Sequence, residues 1–84
     1  MGKFEKVLRR VLSGTSDANI AFDDVRWMLQ RLGFEERVRG SHHNFRRPGE
    51  RIKINLQPHG AHCKPYQVKQ VREALGQLGI VEEE

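Results

Sequence analysis

Residues 34–57 read FEERVRGSHHNFRRPGERIKINLQ, and this stretch decides the fold. Several apolar side chains in it recur at every second position, a period that is typical of β-strands rather than helices. Gly40-Ser41 breaks the alternation as a turn or bulge, and Pro48-Gly49 is a strong turn signal because proline presets φ and glycine accepts a positive φ. The stretch therefore predicts three short antiparallel strands. The last of them, over residues 51–57, is the clearest because three apolar residues alternate with polar ones.

The sequence on either side has the 3.6-residue period of amphipathic helices. One apolar stripe runs through residues 4–12 and ends at Gly14, which suits a left-handed helix cap. A second stripe runs through residues 22–32, and a third begins at Pro65, a residue favoured at the first position of a helix. Residues 15–19 are polar and predict a short loop between the first two helices.

These elements predict an α+β fold in the order α-α-β-β-β-α, with a three-stranded antiparallel sheet packed against helices. A chain of 84 residues has room for one core, so we expect a single domain over residues 1–84. Within it we expect an extra N-terminal helix and loop over residues 1–19, a core over 20–79 and an acidic tail over 80–84.

The composition argues against several classes of protein. Cys63 is the one cysteine, so an internal disulfide framework is excluded. No apolar run reaches the roughly 18 to 20 residues that a membrane helix needs. The first residues return to polar side chains too often for a signal peptide. We therefore expect a cytoplasmic protein that does not associate with membranes.

Basic residues are concentrated in the strand region. The whole chain has 15 Lys+Arg against 11 Asp+Glu, a formal charge of +4. Residues 37–53 alone hold six basic residues and one acid, 6 − 1 = +5. Such a cluster suggests a polyanionic partner such as a nucleic acid. A solvated basic face would have the same composition, and the charge alone does not separate the two interpretations.

Strand alternation separates two adjacent histidines. Phe45 is the expected core residue of its strand, and His43, two residues before it, shares its face. His42 then faces solvent together with Asn44 and Arg46. An exposed imidazole, whose ordinary pKa is about 6.5, accepts a proton near neutral pH, while neighbouring arginines stabilise a phosphate. These residue types are compatible with a ribonuclease site with His42 as the base, although a histidine near arginines is more often an ordinary surface residue. They favour a structural role for His43.

Several segments then resemble a known family. Gly40-Ser41-His42-His43-Asn44-Phe45, preceded by Leu29-Gln30-Arg31-Leu32-Gly33-Phe34, is similar to the HicA toxins of bacterial toxin–antitoxin systems. As in that family, the third strand ends at a Pro-His pair, here Pro58-His59, and a helix follows that starts with Lys64-Pro65. The resemblance runs from about residue 22 to residue 78.

The resemblance implies a double-stranded-RNA-binding-like fold and a type II toxin that cleaves mRNA without the ribosome. It implies an endoribonuclease with no metal or other cofactor, whose catalytic histidine corresponds to His42. It also implies a HicB-type antitoxin that binds the toxin and masks this histidine. On this hypothesis the RNA-binding or phosphate-stabilising residues are Arg37, Arg39, Ser41, Arg46, Arg47, Lys53, Lys64 and Lys69, and His59 is a candidate general acid.

Two other functions fit parts of the sequence. A non-catalytic RNA-binding module of the same fold would use Lys64, Lys69 and Arg72 on the last helix as phosphate anchors. A metal site would draw on His59, His62 and Cys63, although their spacing differs from that of the usual structural zinc sites. Tyr66, next to these residues, would stack on a base or, as we expect, pack over the edge of the sheet.

Overall fold

The computed structural model describes residues 2–80 and has the predicted order of elements. The helices are α1, Lys3–Ser13; α2, Phe22–Arg31; and α3, Pro65–Gln77. The strands are β1, Glu35–Arg39; β2, His42–Arg46; and β3, Lys53–Leu56. The predicted α+β class and the order α-α-β-β-β-α are confirmed.

The structure adds detail to the predicted elements and shifts one boundary. Residues 17–19 form a single 3₁₀ turn within the predicted polar loop. Strand β3 begins at Lys53, two residues later than predicted, because the turn at Pro48-Gly49 continues into an irregular segment. The predicted acidic tail, apart from Ile80, lies outside the described residues.

The three strands form one antiparallel sheet in the order β1-β2-β3. A two-residue turn joins β1 to β2, so that Arg39 is paired with His42. Gly40 occupies the first central position of this turn with φ +58°, as a type II′ hairpin turn requires. At Pro48-Gly49 the predicted turn is confirmed: the Glu50 N–H donates to the Arg47 carbonyl oxygen at 3.0 Å, and Gly49 has φ +86°.

Helices α2 and α3 cover one face of the sheet, which we call the inner face. Phe45 on β2 is fully buried there, as are two side chains of β3, Ile54 and Leu56. The helices contribute their own apolar stripes to the same core: Val25, Met28, Leu29, Val68, Val71 and Leu75. This burial of one face explains the alternation in the sequence, since apolar side chains removed from water are the main stabilising contribution to such a fold.

Helix α1 packs against α2 and α3 and contributes Val7 and Val11 to the core. A bidentate contact fixes the segment after it: Arg72 donates to both carboxylate oxygens of Asp17 at 3.0 and 3.1 Å. Arg72 also donates to the Val11 carbonyl oxygen at 3.0 Å. The arginine that the RNA-binding alternative uses as a phosphate anchor is therefore engaged in holding the N-terminal segment.

Two apolar residues lie in surroundings that the sequence did not predict. Val38 is on the inner face, opposite His43, but is 52% exposed because it lies near the turn end of the edge strand β1. Tyr66 is 63% exposed, so the expected packing over the sheet edge is wrong. Its ring has Lys64 Nζ 5.9 Å from its centroid instead.

Candidate active site

The face of the sheet turned away from the helices, the outer face, carries the basic cluster. Strand register places alternate residues there: Glu35, Arg37, Arg39, His42, Asn44, Arg46, Lys53 and Asn55. Leaving the histidine aside, four cations and one carboxylate give this face a charge of 4 − 1 = +3. No apolar residue belongs to this set, so the face is suited to a charged, hydrated ligand.

His42 is exposed at one end of the outer face, as the alternation predicted. It is the first residue of β2, directly after the type II′ turn, and its partner on β1 is Arg39. Residues opposite one another in an antiparallel pair have Cβ atoms about 5 Å apart, so a guanidinium lies within reach of any group that contacts the imidazole. On the other side, continuing the register by one pair from His43 and Leu56 places Gln57 opposite His42.

His43 points to the inner face and is held there. Its Nδ1 lies 2.7 Å from Glu36 Oε2, its side chain is 16% exposed, and its ring meets Phe22 edge-on with centroids 4.8 Å apart. Glu36 also accepts hydrogen bonds from Arg26 Nε at 2.7 Å and from Gln30 Nε2 at 3.2 Å. The predicted structural placement of His43 is confirmed.

The surroundings of Glu36 keep this carboxylate ionised. Burial raises the pKa of Glu36, but hydrogen bonds from His43 and Arg26, together with their charges, act in the opposite direction and leave the pKa below its usual value of 4.5. The carboxylate therefore ties β1 to α2 through Arg26 and to β2 through His43. Because adjacent strand residues point to opposite faces, fixing His43 inward also fixes His42 outward.

A shallow depression on the sheet brings together several of the predicted phosphate-binding residues. Its lining comprises Glu35, Arg37, Val38, Arg39, Asn44, Phe45, Arg46 and Lys53. His42 lies at the turn end of β2 and Arg46 at the other, about 13 Å apart at roughly 3.3 Å per residue. The cations therefore extend along the face from beside the imidazole, as an extended polyanion requires.

The remaining predicted residues lie elsewhere. Arg47 follows β2, is half-buried and lies beside Gly33, away from the outer face. Lys64 and Lys69 belong to the start and first turns of α3, which packs on the inner side of the sheet. His59 is exposed in the loop after β3, where it pairs with His62 across a tight turn. The structure thus places Arg47, Lys64 and Lys69 away from the outer face, whereas His59 lies in a loop that leaves the sheet at the end where His42 stands.

The metal-site alternative lacks a ligand set in the part of the chain that the structure describes. Among residues 2–80, no group of three or more His, Cys, Asp or Glu side chains is arranged to hold a metal ion. Cys63 is 3% exposed, and burial raises its pKa to about 11, so it is a poor metal ligand and nucleophile at neutral pH.

Among residues 2–80, no helix is both long and apolar enough to cross a bilayer.

Sequence reasoning missed two glutamines that connect helix α3 to the turn before His42. Gln57 Nε2 donates to Ser41 Oγ at 3.1 Å, and Gln67 Nε2 donates to the Gln57 carbonyl oxygen at 2.9 Å. Gln57 follows Lys53 and Asn55 at every second position, and this alternation predicts that it lies on the outer face with them. Gln67 gave no such signal, because a glutamine on a helix is usually exposed, whereas this side chain is 2% exposed.

Comparison with known proteins agrees with this description. No curated protein and no solved structure matches the chain significantly. The family described as the HicA toxin of bacterial toxin–antitoxin systems matches residues 22–80, more than two thirds of the chain. The matched region begins at the first residue of α2 and includes the whole sheet, His42 and α3, whereas α1 and the 3₁₀ turn precede it. The chain therefore belongs to the HicA family of toxins of bacterial toxin–antitoxin systems.

Proposed function

We propose that this toxin is a ribosome-independent mRNA endoribonuclease of a type II system, with His42 as its catalytic base and no metal requirement. One observation carries the proposal: the exposed His42 stands at the end of a face with four cations, while the adjacent His43 is held inward by Glu36. Family membership supports the toxin role. The basic outer face supports RNA as the target, in the cytoplasm where mRNA is found.

The proposed reaction uses the RNA's own nucleophile. The imidazole of His42 takes the proton of a ribose 2′-hydroxyl, and the 2′-oxygen attacks the adjacent phosphorus. The bond from phosphorus to the 5′-oxygen breaks, and the leaving oxygen takes up a proton. The products are a 2′,3′-cyclic phosphate and a 5′-hydroxyl end. Arg39, opposite His42, stabilises the charge that develops on the phosphate.

The other residues divide into flanking contacts and a general acid. Arg37, Arg46 and Lys53 bind neighbouring phosphates along the outer face. The candidate acid for the 5′-oxygen is His59, which is exposed three residues after β3 ends, at the same end of the sheet as His42. The Ser41 hydroxyl, in the turn beside His42, donates a hydrogen bond to the scissile phosphate.

A HicB-type antitoxin would neutralise the toxin by covering the outer face. A cationic face with +3 charge favours a partner that presents carboxylates there, and such a partner would exclude RNA from the same residues. On this proposal antitoxin and RNA compete, and substitutions of Arg39 or Arg46 weaken both complexes.

The test compares wild type with His42→Ala, using His62→Ala as the matched control because His62 is also exposed but lies outside the outer face. We expect wild type and His62→Ala to arrest bacterial growth and cleave mRNA, and His42→Ala to do neither while still folding. In vitro, cleavage of an RNA oligonucleotide survives EDTA, and a 2′-deoxy substitution at the scissile nucleotide abolishes it. Products with 3′-hydroxyl and 5′-phosphate ends would contradict the mechanism.

The same proteins also test the non-catalytic alternative. An RNA-binding module without activity binds RNA equally well as wild type and as His42→Ala, and neither protein cleaves. For the toxin, the logarithm of the association constant for RNA falls linearly with the logarithm of the salt concentration. The slope is about −0.7 per neutralised phosphate, so four contacts give a slope of about −3. Arg46→Gln removes one contact and makes this slope less negative by about 0.7.

A further inference from the structure

Gln67 on α3 begins a series of hydrogen bonds that leads to the turn beside His42. It is 2% exposed, although its side chain is polar. Both ends of its amide are used: Oε1 accepts from the Lys64 N–H at 3.2 Å, and Nε2 donates to the Gln57 carbonyl oxygen at 2.9 Å. A buried amide satisfied in this way fixes the backbone at Gln57 relative to the helix.

The series continues from Gln57 to the catalytic turn. Gln57 lies opposite His42 in the continued register, and its Nε2 reaches Ser41 Oγ at 3.1 Å. In this bond the amide donates and the serine oxygen accepts. The hydroxyl proton of Ser41 is therefore free to donate to another acceptor. In the proposed reaction, that acceptor would be a non-bridging oxygen of the scissile phosphate.

We propose that Gln57 is a positioning residue for cleavage, one that holds Ser41 so that its hydroxyl is directed at the scissile phosphate and its turn fixes His42. The inference rests on the proposed ribonuclease function and deepens it. Gln57 acts through Ser41, whereas Gln67 holds Gln57. A donor preorganised towards developing charge contributes to the rate rather than to the fold. A bond between two exposed side chains contributes little to stability, so the two roles are separable.

The experiment uses three substitutions of similar shape. Gln57→Leu removes the donor, and Gln57→Glu keeps the size and still bonds Ser41 but only as an acceptor. Gln77→Leu is the control, since it makes the same change at an exposed glutamine at the end of α3, away from the outer face. The measured quantities are kcat and KM on a short RNA, with melting temperature as the check on folding.

We expect Gln57→Leu to lower kcat about tenfold, as loss of an indirectly acting donor should, with the melting temperature unchanged. Gln57→Glu lowers kcat by as much or more, because the carboxylate takes the Ser41 proton away from the phosphate. Ser41→Ala lowers kcat similarly, and combining it with Gln57→Leu has no further effect. A purely structural role predicts instead that Gln57→Glu restores kcat.

A second readout does not depend on cleavage. Backbone amide order parameters from NMR report whether Gln57 immobilises the turn. We expect Gln57→Leu to lower the order parameters of Ser41 and His42, and Gln77→Leu to leave them unchanged. Unchanged values in Gln57→Leu, or a kcat within twofold of wild type while His42→Ala abolishes cleavage, would overturn the proposal. Absence of His42-dependent cleavage in wild type would refute the proposed function alone, since the NMR comparison still tests the turn.

Discussion

Replacing Glu36 by glutamine removes a carboxylate charge. Through its hydrogen bonds with His43 and Arg26, that carboxylate connects β1 to β2 and to α2. The carboxylate is 7% exposed and accepts three hydrogen bonds, from Arg26, His43 and Gln30. Hydrogen bonds to charged groups contribute about 1.5–3 kcal/mol each. Loss of a fully buried partner costs about 3–5 kcal/mol. The Arg26 side chain is 44% exposed and regains water, so its share is small. The half-buried His43 dominates, and we expect a loss of about 2 kcal/mol.

The assay is urea unfolding followed by circular dichroism at neutral pH. With an m-value of about 1.3 kcal/mol/M for a domain of this size, the loss moves the midpoint down by about 1.5 M. Glu35→Gln is the matched control, since Glu35 is the preceding residue but faces outward and is exposed. We expect its free energy of unfolding to stay within about 0.5 kcal/mol of wild type.

The pH dependence gives a second test of the same reasoning. The pKa of Glu36 is lower in the folded state than its usual value of 4.5. Its contribution to stability is therefore fully present above about pH 4.5 and is lost as the pH falls through the folded pKa. The difference in free energy of unfolding between wild type and Glu36→Gln should therefore narrow as the pH falls below about 4.5. Two results would refute this role of Glu36. One is that wild type and Glu36→Gln have equal free energies of unfolding at neutral pH, and the other is that the difference between them stays constant as the pH falls.

Three further predictions each concern one side chain and its surroundings. Asp17→Asn weakens the bidentate contact with the partly buried Arg72, whose pKa this carboxylate raises, and should cost about 1–2 kcal/mol in thermal unfolding. Tyr66→Ala should change unfolding free energy by less than about 0.5 kcal/mol because the ring is exposed, so a weaker affinity for RNA would report base stacking. Cys63 should react with a thiol reagent only on unfolding, so at a low reagent concentration its reaction rate should rise with urea in proportion to the unfolded fraction.

Much of the fold was predictable because it follows from local periodicity and turn chemistry. The strand pattern of residues 34–57, the turn at Pro48-Gly49 and the start of α3 at Pro65 each had a local physical cause, and all three are confirmed. Val38 shows the limit of this reasoning, since periodicity gives the face of a strand but not whether a helix covers that position. Tyr66 shows the same limit on a helix.

The candidate site was predictable where it depends on strand parity. The alternation of side chains along each strand is enough to predict that His42 and the four cations face away from the core, and the strand register agrees with that prediction. It gave no information on residues that act from outside the sheet. Gln67 lies ten residues from Gln57 in sequence, and Glu36 is joined to Arg26 on a different element. Such contacts depend on how helices are placed over the sheet, which a one-dimensional pattern does not contain.

The two adjacent histidines make the register of β2 a condition for the proposed activity. A slip of one residue in a strand exchanges its two faces, so it would bury His42 and present His43 to the outer face. Two contacts oppose such a slip: Phe45 is fully buried in the core, and His43 is bonded to the ionised Glu36. The slipped sheet would expose Phe45 and leave the carboxylate of Glu36 without its partner, both of which are costly. The residues that hold the strand in register therefore also determine which histidine lies on the outer face, where we propose that RNA binds.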